Sequence, residues 1–339
     1  MAEIPGRIRI PQELPQIKLD KADMKLITEL VKDARIPATA LSKKIGLSKE
    51  TTIYRIKRLE SLGVIAEYRT KVDVTALGYN YNLVFFETKL TTEQKAEVYG
   101  YLMKHPWVNW VSPATGKWDL LLHIISRDLS HLDEILDEIY KKIKPINYTI
   151  FVVVEYLRES PDFFRLAKEQ ASIPKRREKY NLDKYDVEIL NTLIKNGRMP
   201  FLKVSEKIGL SRDSVKTRVQ QLMKSGIIEK FNTSINTPLL GYQWYAVIVK
   251  MIDPDKENEF INYILHNKSI NAFFKTIGEY DFFLEIHTKS SIEFSDFVTE
   301  MLNRFGSAIV KHEEMLQFGQ EFFTWFPEGL YKDLLEKVQ

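Results

Sequence analysis

The sequence predicts an α+β fold made of two tandem units, each a (winged) helix-turn-helix domain followed by a ferredoxin-like βαββαβ sandwich. The first observation is a repeat, because residues 19–79 return without a gap as residues 182–242. The period of about 163 residues is too long for a solenoid and indicates a duplicated domain pair. The second is a Gly-Leu-Ser turn at 46–48 and again at 209–211. The third is the same order of strands and helices after each turn.

Composition limits the class of protein. A chain of 339 residues is long enough for several domains with real cores. Its hydrophobic content of 44% and charged content of 28% are ordinary for a soluble globular protein. No apolar run reaches the roughly 18 to 20 residues of a membrane span. With no cysteine, a disulfide framework and thiolate metal sites are excluded, and we expect a cytoplasmic protein.

Charge alternates along the chain. By residue count, segments 19–70 and 182–233 each carry about +4, whereas 71–157 carries about −2 and 234–339 about −7. The spacer 158–181 is basic again. Basic segments between acidic ones indicate that the helical parts meet a polyanion. The predicted segments are an extended leader (1–18), helix-turn-helix domain 1 (19–70), βαββαβ domain 1 (71–157), a basic linker (158–181), helix-turn-helix domain 2 (182–233) and βαββαβ domain 2 with a C-terminal helix (234–339).

Helix start and stop signals define the first trihelical segment. The sequence predicts Asp20 as an N-cap, with Asp23 three residues on, as in a capping box. The first helix ends before Pro37. Gly46 suits a left-handed turn, and Ser48 caps a third helix over about 49–62. The second copy repeats these signals at Asp183, Asp186, Pro200, Gly209 and Ser211.

The third helix of each copy has the pattern of a DNA-recognition helix. Its inner face is Thr52, Ile56 and Leu59 in one copy and Val215, Val219 and Leu222 in the other. The opposite face and its flanks carry mostly polar side chains, of types that bond base edges and phosphates. The predicted DNA-contacting residues are Ser48, Lys49, Glu50, Thr51, Tyr54, Arg55, Lys57, Arg58, Ser211, Arg212, Asp213, Ser214, Lys216, Thr217, Arg218 and Gln220.

Two alternatives stay open at this stage. Arg55 and Arg218 match each other beside the inner face, where each could clamp a phosphate or pair within the chain. The trihelical segment as a whole could also be a bundle used only for dimerisation. The repeated turn and the repeated caps favour DNA binding.

The segments after each trihelical unit alternate in a βαββαβ order, which predicts an antiparallel sheet on two helices. In the first copy the predicted elements are strand 81–89, helix 92–104, strands 108–115 and 118–125, helix 129–142 and strand 149–155. In the second copy they are 244–251, 254–267, 270–277, 281–288, 291–305 and 310–318, in the same order.

Together these motifs resemble the leucine-responsive regulator family, Lrp/AsnC. The resemblance rests on Leu-Asp-x-x-Asp, on Ala34-Arg35 and Gly197-Arg198, on Gly-Leu-Ser, and on Leu-Gly-Tyr at 77–79 and 240–242. It covers nearly the whole chain, twice, and implies a transcription regulator of double-stranded DNA with amino-acid-sensing βαββαβ modules. Family members usually carry one unit per chain, so the tandem arrangement is a departure. The Lys- and Ile-rich, cysteine-free composition resembles that of archaeal thermophiles.

By the same resemblance, Gly116, Asp119, Gly278 and Asp281 lie where a small amino-acid effector would bind. A carboxylate can bond an ammonium group, and glycine lets the backbone approach closely. The alternative is a tight turn with a capping Asp.

Enzymatic motifs are missing from the sequence, so we predict no enzyme, cofactor or metal. His312-Glu313-Glu314 lacks the second His of a zinc helix. There is no Gly-x-Ser-x-Gly elbow and no cysteine nucleophile. The alternative enzyme is a sirohaem decarboxylase, since this fold also occurs in those proteins as paired homologous subunits. Residues 105–110 lack the His-Asn-Tyr-x-Arg run that a resemblance to such an enzyme would imply.

The favoured hypothesis is a sequence-specific regulator whose two modules pair as an intramolecular pseudo-dimer, so that two unlike recognition helices meet two unlike half-sites. The alternative assembly is a homodimer that pairs identical helices between chains. A further hypothesis makes the protein an activator, in which the acidic second module and the aromatic tail 322–326 recruit basal transcription factors. The competing interpretation of that tail is packing onto a sheet.

Overall fold

The computed structural model describes residues 8–9, 16–159, 180–320 and 322–338. Most of the predicted leader (1–18) and of the predicted basic linker (158–181) lies outside the described residues. Within them, the chain forms two trihelical heads and two sheet modules, named here by their sequence ranges. The first head is 19–72, the first module 73–159, the second head 182–235 and the second module 236–317, and a C-terminal segment follows.

The two heads have the same order of elements. A short strand, β1 (Ile8–Arg9), precedes the first head. The first head contains α1 (Lys21–Lys32), α2 (Ala38–Ile45), α3 (Lys49–Ser61) and β2 (Ile65–Val72). The second contains α6 (Lys184–Lys195), α7 (Phe201–Ile208), α8 (Arg212–Lys224) and β7 (Ile228–Ile235).

Local signals in the sequence place these helices. Asp20 and Asp23 form the predicted capping box of α1, and the second copy repeats it on α6. Gly46 ends α2 with a left-handed backbone at φ 74°, which costs glycine nothing. Ser48 then accepts a hydrogen bond from the N–H of Thr51 and starts α3. Ser211 accepts from the N–H of Ser214 and starts α8 in the same way, so the predicted starts of both recognition helices are confirmed.

The strands that follow the recognition helices pair with each other. β2 and β7 form a two-stranded antiparallel ribbon in which Arg69 lies opposite Asn232. Each strand also packs on the first helix of the other copy. The hydroxyl of Thr233 donates to the carbonyl of Leu30 at 2.8 Å, and that of Thr70 donates to the carbonyl of Leu193 at 2.7 Å. The two heads therefore share one ribbon.

Each module has the predicted ferredoxin-like topology. The first contains β3 (Asn80–Glu87), α4 (Thr92–Leu102), β4 (Val108–Thr115), β5 (Leu120–Ser126), α5 (Leu129–Ile143) and β6 (Asn147–Glu159). The second contains β8 (Gln243–Met251), α9 (Glu257–His266), β9 (Ile270–Gly278), β10 (Phe282–Thr288), α10 (Ser291–Phe305) and β11 (Ile309–Gln317). The strand orders β6-β3-β5-β4 and β11-β8-β10-β9 are equivalent.

The two module sheets join at both edges. β6 pairs with β9, with Phe151 opposite Gly278, and β11 pairs with β4, with Leu316 opposite Thr115. Strand β6 runs to Glu159, beyond the predicted end at 155, because β9 supplies a partner for its last residues. Eight strands thus close into a ring within one chain.

Aromatic side chains fill the inner face of this ring. Phe85 contacts Phe151 and Phe283, with ring centroids 5.2 Å and 5.7 Å apart. Phe274 packs on Phe283 at 5.5 Å. Helices α4 and α5 cover the outer face of the first sheet, and α9 and α10 cover that of the second. The modules are therefore packed against each other through one continuous core.

The C-terminal segment crosses back to the first module and the second head. It contains β12 (Gly319–Gln320), β13 (Phe322–Phe323) and α11 (Glu328–Lys337). β12 pairs with β1, and β13 pairs with β4. Leu330 and Leu334 of α11 are buried, and the hydroxyl of Tyr331 donates to Glu188 of α6 at 3.0 Å.

Candidate nucleic-acid interface

The recognition helix of the first head presents the face that the sequence predicts. Thr52, Ile56 and Leu59 are buried against the other helices. On the opposite side Lys57 is exposed, and Tyr54 is 67% exposed although it is a large aromatic residue. Lys57 and Tyr54 therefore point away from the supporting helices and are free to contact a partner.

The recognition helix of the second head has the same framework with different outward side chains. Val215, Val219 and Leu222 are buried, whereas Thr217 and Gln220 are exposed. The other predicted contact residues of the two heads are also exposed, except for three half-buried arginines. The exposed ones are Ser48, Lys49, Glu50, Thr51, Ser211, Arg212, Asp213, Ser214 and Lys216.

The half-buried arginines of the first head pair within the chain. Arg55 of α3 lies 2.8 Å from the carboxylate of Asp20 and 2.7 Å from that of Asp23. Arg58 also reaches Asp23, at 3.1 Å. The hydrogen bond to Asp20 raises the pKa of Arg55 above its usual value. Of the two alternatives for Arg55, the intramolecular pair is present here.

The second head keeps the counterparts of both ion pairs of Arg55 and replaces Arg58. Arg218 lies 2.8 Å from Asp183 and 2.9 Å from Asp186. The counterpart of Arg58 is Gln221, and the hydroxyl of Tyr180 donates to Asp186 at 3.0 Å instead. Burial raises the pKa of this tyrosine to about 12, so it stays a neutral donor. The first head therefore carries one more cation at this junction.

A cavity of about 280 Å³ opens beside the recognition helix of the first head. Its lining residues are Lys18, Asp20, Asp23, Thr51, Tyr54, Arg55 and Arg58. Lys18 is not among the contact residues predicted from the sequence, and its counterpart in the second copy is Asn181. A signal was present, since a lysine directly before the Leu-Asp helix start adds a cation at the side of the predicted DNA-contacting helix.

The predicted effector turns lie at the two seams between the copies. A Cβ at Gly116 would lie 2.8 Å from the carbonyl oxygen of Glu314, and one at Gly278 would lie 2.6 Å from that of Ile150. Lys117, in the first turn, pairs with Glu313 of β11 at 2.9 Å. Close approach of backbone from the other copy thus accounts for both glycines.

The aspartates of these turns are bonded within their own modules. Asp119 accepts hydrogen bonds from the N–H and the hydroxyl of Thr88, both at 2.8 Å. Asp281 accepts from Lys250 at 2.7 Å and from the N–H of Met251 at 2.8 Å. The alternative interpretation of a capping Asp agrees with these contacts, and effector binding stays a prediction.

The aromatic tail is packed inside the molecule. Phe323, Trp325 and Phe326 are buried in the core that the two modules share. The packed tail is the arrangement that the competing interpretation describes. Among the described parts of the chain, no helix has the length and apolar character needed to cross a membrane.

Each recognition helix is exposed and packs on a support helix that begins with a capping box. This arrangement defines a DNA-binding protein with two helix-turn-helix domains. Residues 19–60 match the AsnC-type helix-turn-helix domain, and residues 182–229 match the winged helix-turn-helix DNA-binding family. The HTH-type transcriptional regulator FL11 of Pyrococcus furiosus is 32% identical over 117 residues, which are 34% of this chain and 78% of that protein. Ptr1 of Methanocaldococcus jannaschii, another HTH-type transcriptional regulator, is 36% identical over 30% of this chain and 68% of its own length.

The chain belongs to the Lrp/AsnC family of transcriptional regulators, as the sequence motifs predict. It is a regulator with two helix-turn-helix domains, each within a duplicated unit. A solved structure of the sirohaem decarboxylase NirDL has the same overall arrangement, with a TM-score of 0.65 over 94% of this chain and 98% of that one. At 16% identity, this likeness shows the fold alone.

Proposed function

We propose that one chain binds two unlike half-sites of a single stretch of duplex DNA, one with each recognition helix. Helix-turn-helix proteins place this helix in the major groove, and paired heads contact grooves about one turn apart or a multiple of it. Regulation of transcription would follow from occupancy of such a site near a promoter.

The observation that carries the proposal is the contrast between the buried and the exposed faces of the two helices. Both heads keep the Ser cap and a buried inner face. The outward pair is Tyr54 and Lys57 in one and Thr217 and Gln220 in the other. Lysine suits guanine or phosphate, whereas glutamine suits adenine, so the preferred bases should differ.

The shared ribbon supports an intramolecular pseudo-dimer. β2 and β7 pair within the chain, and the module sheets pair at both edges. A homodimer that pairs identical helices between chains would need a second interface outside these contacts. One chain should therefore occupy one site with both heads.

Paired variants test the assignment of each head to its half-site. Tyr54→Ala/Lys57→Ala should relax base preference in one half of the site only. The matched control Thr217→Ala/Gln220→Ala should relax the other half. Footprinting and affinity on DNA mutated in either half give the readout. Equal loss in both halves with either variant would contradict the proposal.

Tuning by a small amino-acid effector is a further part of the proposal. One Gly-x-x-Asp turn lies at each seam between the copies, where a ligand would bias the packing of the modules. An effector ammonium would compete with the present partners of Asp119 and Asp281. Melting temperature measured with each free amino acid tests this. A rise that Asp119→Asn or Asp281→Asn abolishes supports it, and no rise with any amino acid contradicts it.

Recruitment of basal transcription factors has less support. The buried tail aromatics offer no surface, so the acidic exterior of the second module would have to serve. The enzymatic alternative rests on fold likeness to a sirohaem decarboxylase. An absorbance spectrum after incubation with sirohaem tests it, and we expect no shift.

A further inference from the structure

Arg35 of the first head binds the second head directly. Its Nη1 donates to the carbonyl of Gly197 at 2.6 Å, and its Nη2 donates to the carbonyl of Met199 at 3.0 Å. Both carbonyls belong to the turn between α6 and α7, so one side chain spans the gap between heads. The planar guanidinium fixes the direction of both bonds at once.

Aromatic side chains hold this guanidinium in place. It lies 4.1 Å from the ring centroid of Phe201 and 5.0 Å from that of Phe231. Both rings come from the second half of the chain. Burial lowers the pKa of Arg35 from its usual high value, which agrees with a contact shielded from water. Shielded cation–π contacts are stronger than exposed ones.

The turn that receives Arg35 and the turn that carries it are both fixed to the shared ribbon. The N–H of Gly197 donates to the carbonyl of Tyr68 at 2.8 Å, and the N–H of Ala34 donates to that of Phe231 at 2.8 Å. A Cβ at Gly197 would lie 2.6 Å from the carbonyl oxygen of Arg69. The main chains of the two heads are therefore in direct contact at this junction. This contact leaves the heads little freedom to move relative to each other.

The counterpart arginine makes a different contact. Arg198 donates to the hydroxyl of Tyr68 at 3.3 Å and lies 5.1 Å from the centroid of its ring. It therefore contacts a side chain, whereas Arg35 contacts two main-chain carbonyls. Arg198 thus provides a natural control for removal of an arginine at this junction.

We propose that Arg35 is a positioning residue that sets the separation and relative orientation of the two recognition helices, and through them the half-site spacing that the protein accepts. The effect on half-site spacing rests on the proposed function, because both helices must bind one duplex. Each added base pair moves a half-site by about 3.4 Å along the axis. It also rotates the half-site around the helix axis, because duplex DNA completes one turn in about 10.5 base pairs. A rigid pair of heads cannot follow such a change, whereas a loosened pair can.

Distances between spin labels test positioning without DNA. The chain has no native cysteine, so labels at Lys43→Cys and Glu206→Cys need no background substitution. These two exposed positions correspond in the two copies and lie on α2 and α7, away from the recognition helices. The parent should give a narrow distance distribution by double electron–electron resonance. Arg35→Ala and Arg35→Lys should broaden it, because lysine cannot make two directed bonds, while Arg198→Ala should leave it nearly unchanged.

Binding to operators that differ in the spacing between half-sites tests the effect of Arg35 on the accepted spacing. With a selected site, insertion or deletion of one base pair between half-sites should weaken parent binding by about tenfold or more. Arg35→Ala should lose less than about threefold on the same sites, and should bind each isolated half-site as the parent does. Thermal unfolding checks that the variant is folded, and Arg35→Lys serves if it is not.

The two experiments test the positioning role of Arg35 and its link to operator spacing separately. An unchanged distance distribution in Arg35→Ala overturns the positioning role. A broadened distribution with an unchanged spacing preference overturns the link to operator spacing. A parent protein that binds DNA through one head only contradicts the proposed function, and the label distances still decide the role of Arg35.

Discussion

The guanidinium of Arg55 lies 2.7 Å from the carboxylate of Asp23, whose side chain is 2% exposed. This ion pair ties the recognition helix α3 to the support helix α1. Asp23 also closes the capping box of α1. One carboxylate therefore caps one helix and orients another, and the second head repeats the arrangement with Arg218 and Asp186.

Loss of Arg218 should destabilise the protein more than loss of Arg55. In Arg55→Ala, Arg58 remains on the buried Asp23, so we expect a cost of about 1 to 2 kcal/mol. In Arg218→Ala, Asp186 keeps only its cap contacts and a tyrosine hydroxyl, and breaking such a buried pair costs about 3 kcal/mol. Unfolding in urea measures both. Asp186→Asn should recover part of the loss in Arg218→Ala, and equal costs for the two arginines would contradict the account.

Acid should destabilise the heads through their capping carboxylates. The N–H of Asp23 lowers the pKa of Asp20. Burial alone would raise the pKa of Asp183, but the N–H of Asp186 and the side chain of Arg218 outweigh it and lower that pKa. A folded-state pKa below the unfolded value of about 3.9 gives stability that is present above that pH and lost as pH falls through the folded pKa.

The melting temperature should therefore change little from pH 7 to about 5 and fall progressively below about 4. Asp20→Asn/Asp183→Asn keeps good N-cap residues while removing both titrations, so its melting temperature should depend less on pH. If the melting temperature of this variant falls as steeply below about pH 4, other carboxylates dominate the loss of stability in acid.

Short-range chemistry made the heads and the modules predictable. The capping boxes, the left-handed Gly46 and the Ser48 cap depend on residues within three or four positions, and each was placed from sequence. The alternation of the βαββαβ segments likewise placed every helix and strand of the modules to within a few residues. The choice for Arg55 stayed open, because its partner Asp20 lies 35 positions away, at the N-cap of another helix.

Pairings between distant edges were not predictable in the same way. Nothing in the period-two pattern of β2 specifies β7 as its partner. The same holds for β6 with β9 and for β11 with β4, which join strands of different copies. Arg35 was visible as a motif residue, but its role depends on carbonyls that only the assembled heads bring near.

Gly278→Ala should open the seam between the copies. Its φ of 150° is unfavourable for alanine, and the added Cβ would meet the carbonyl oxygen of Ile150 at 2.6 Å. We expect a loss of about 1 to 3 kcal/mol in the free energy of unfolding. Gly100→Ala is the matched control, since that glycine lies in α4 with open space around it and should gain about 0.5 to 1 kcal/mol. Similar effects of the two substitutions would contradict the close contact at the seam.

Leu330→Ala should weaken the link between the C-terminal helix and the second head. Leu330 is fully buried on α11, and truncation of such a leucine costs about 2 to 5 kcal/mol. The exposed Lys332→Ala is the control, because it removes an exposed ion pair with Glu328 and should cost under about 1 kcal/mol. Thermal unfolding gives the readout. A neutral Leu330→Ala would mean that the tail does not pack on the folded molecule in solution.

Selection of bound sequences from random duplex DNA shows directly whether one chain binds two different half-sites. We expect a site whose two halves differ in sequence and which one chain occupies, because Tyr54 and Lys57 in one head face different bases from Thr217 and Gln220 in the other. A perfectly palindromic site bound by two chains would contradict it, because identical halves require identical recognition helices.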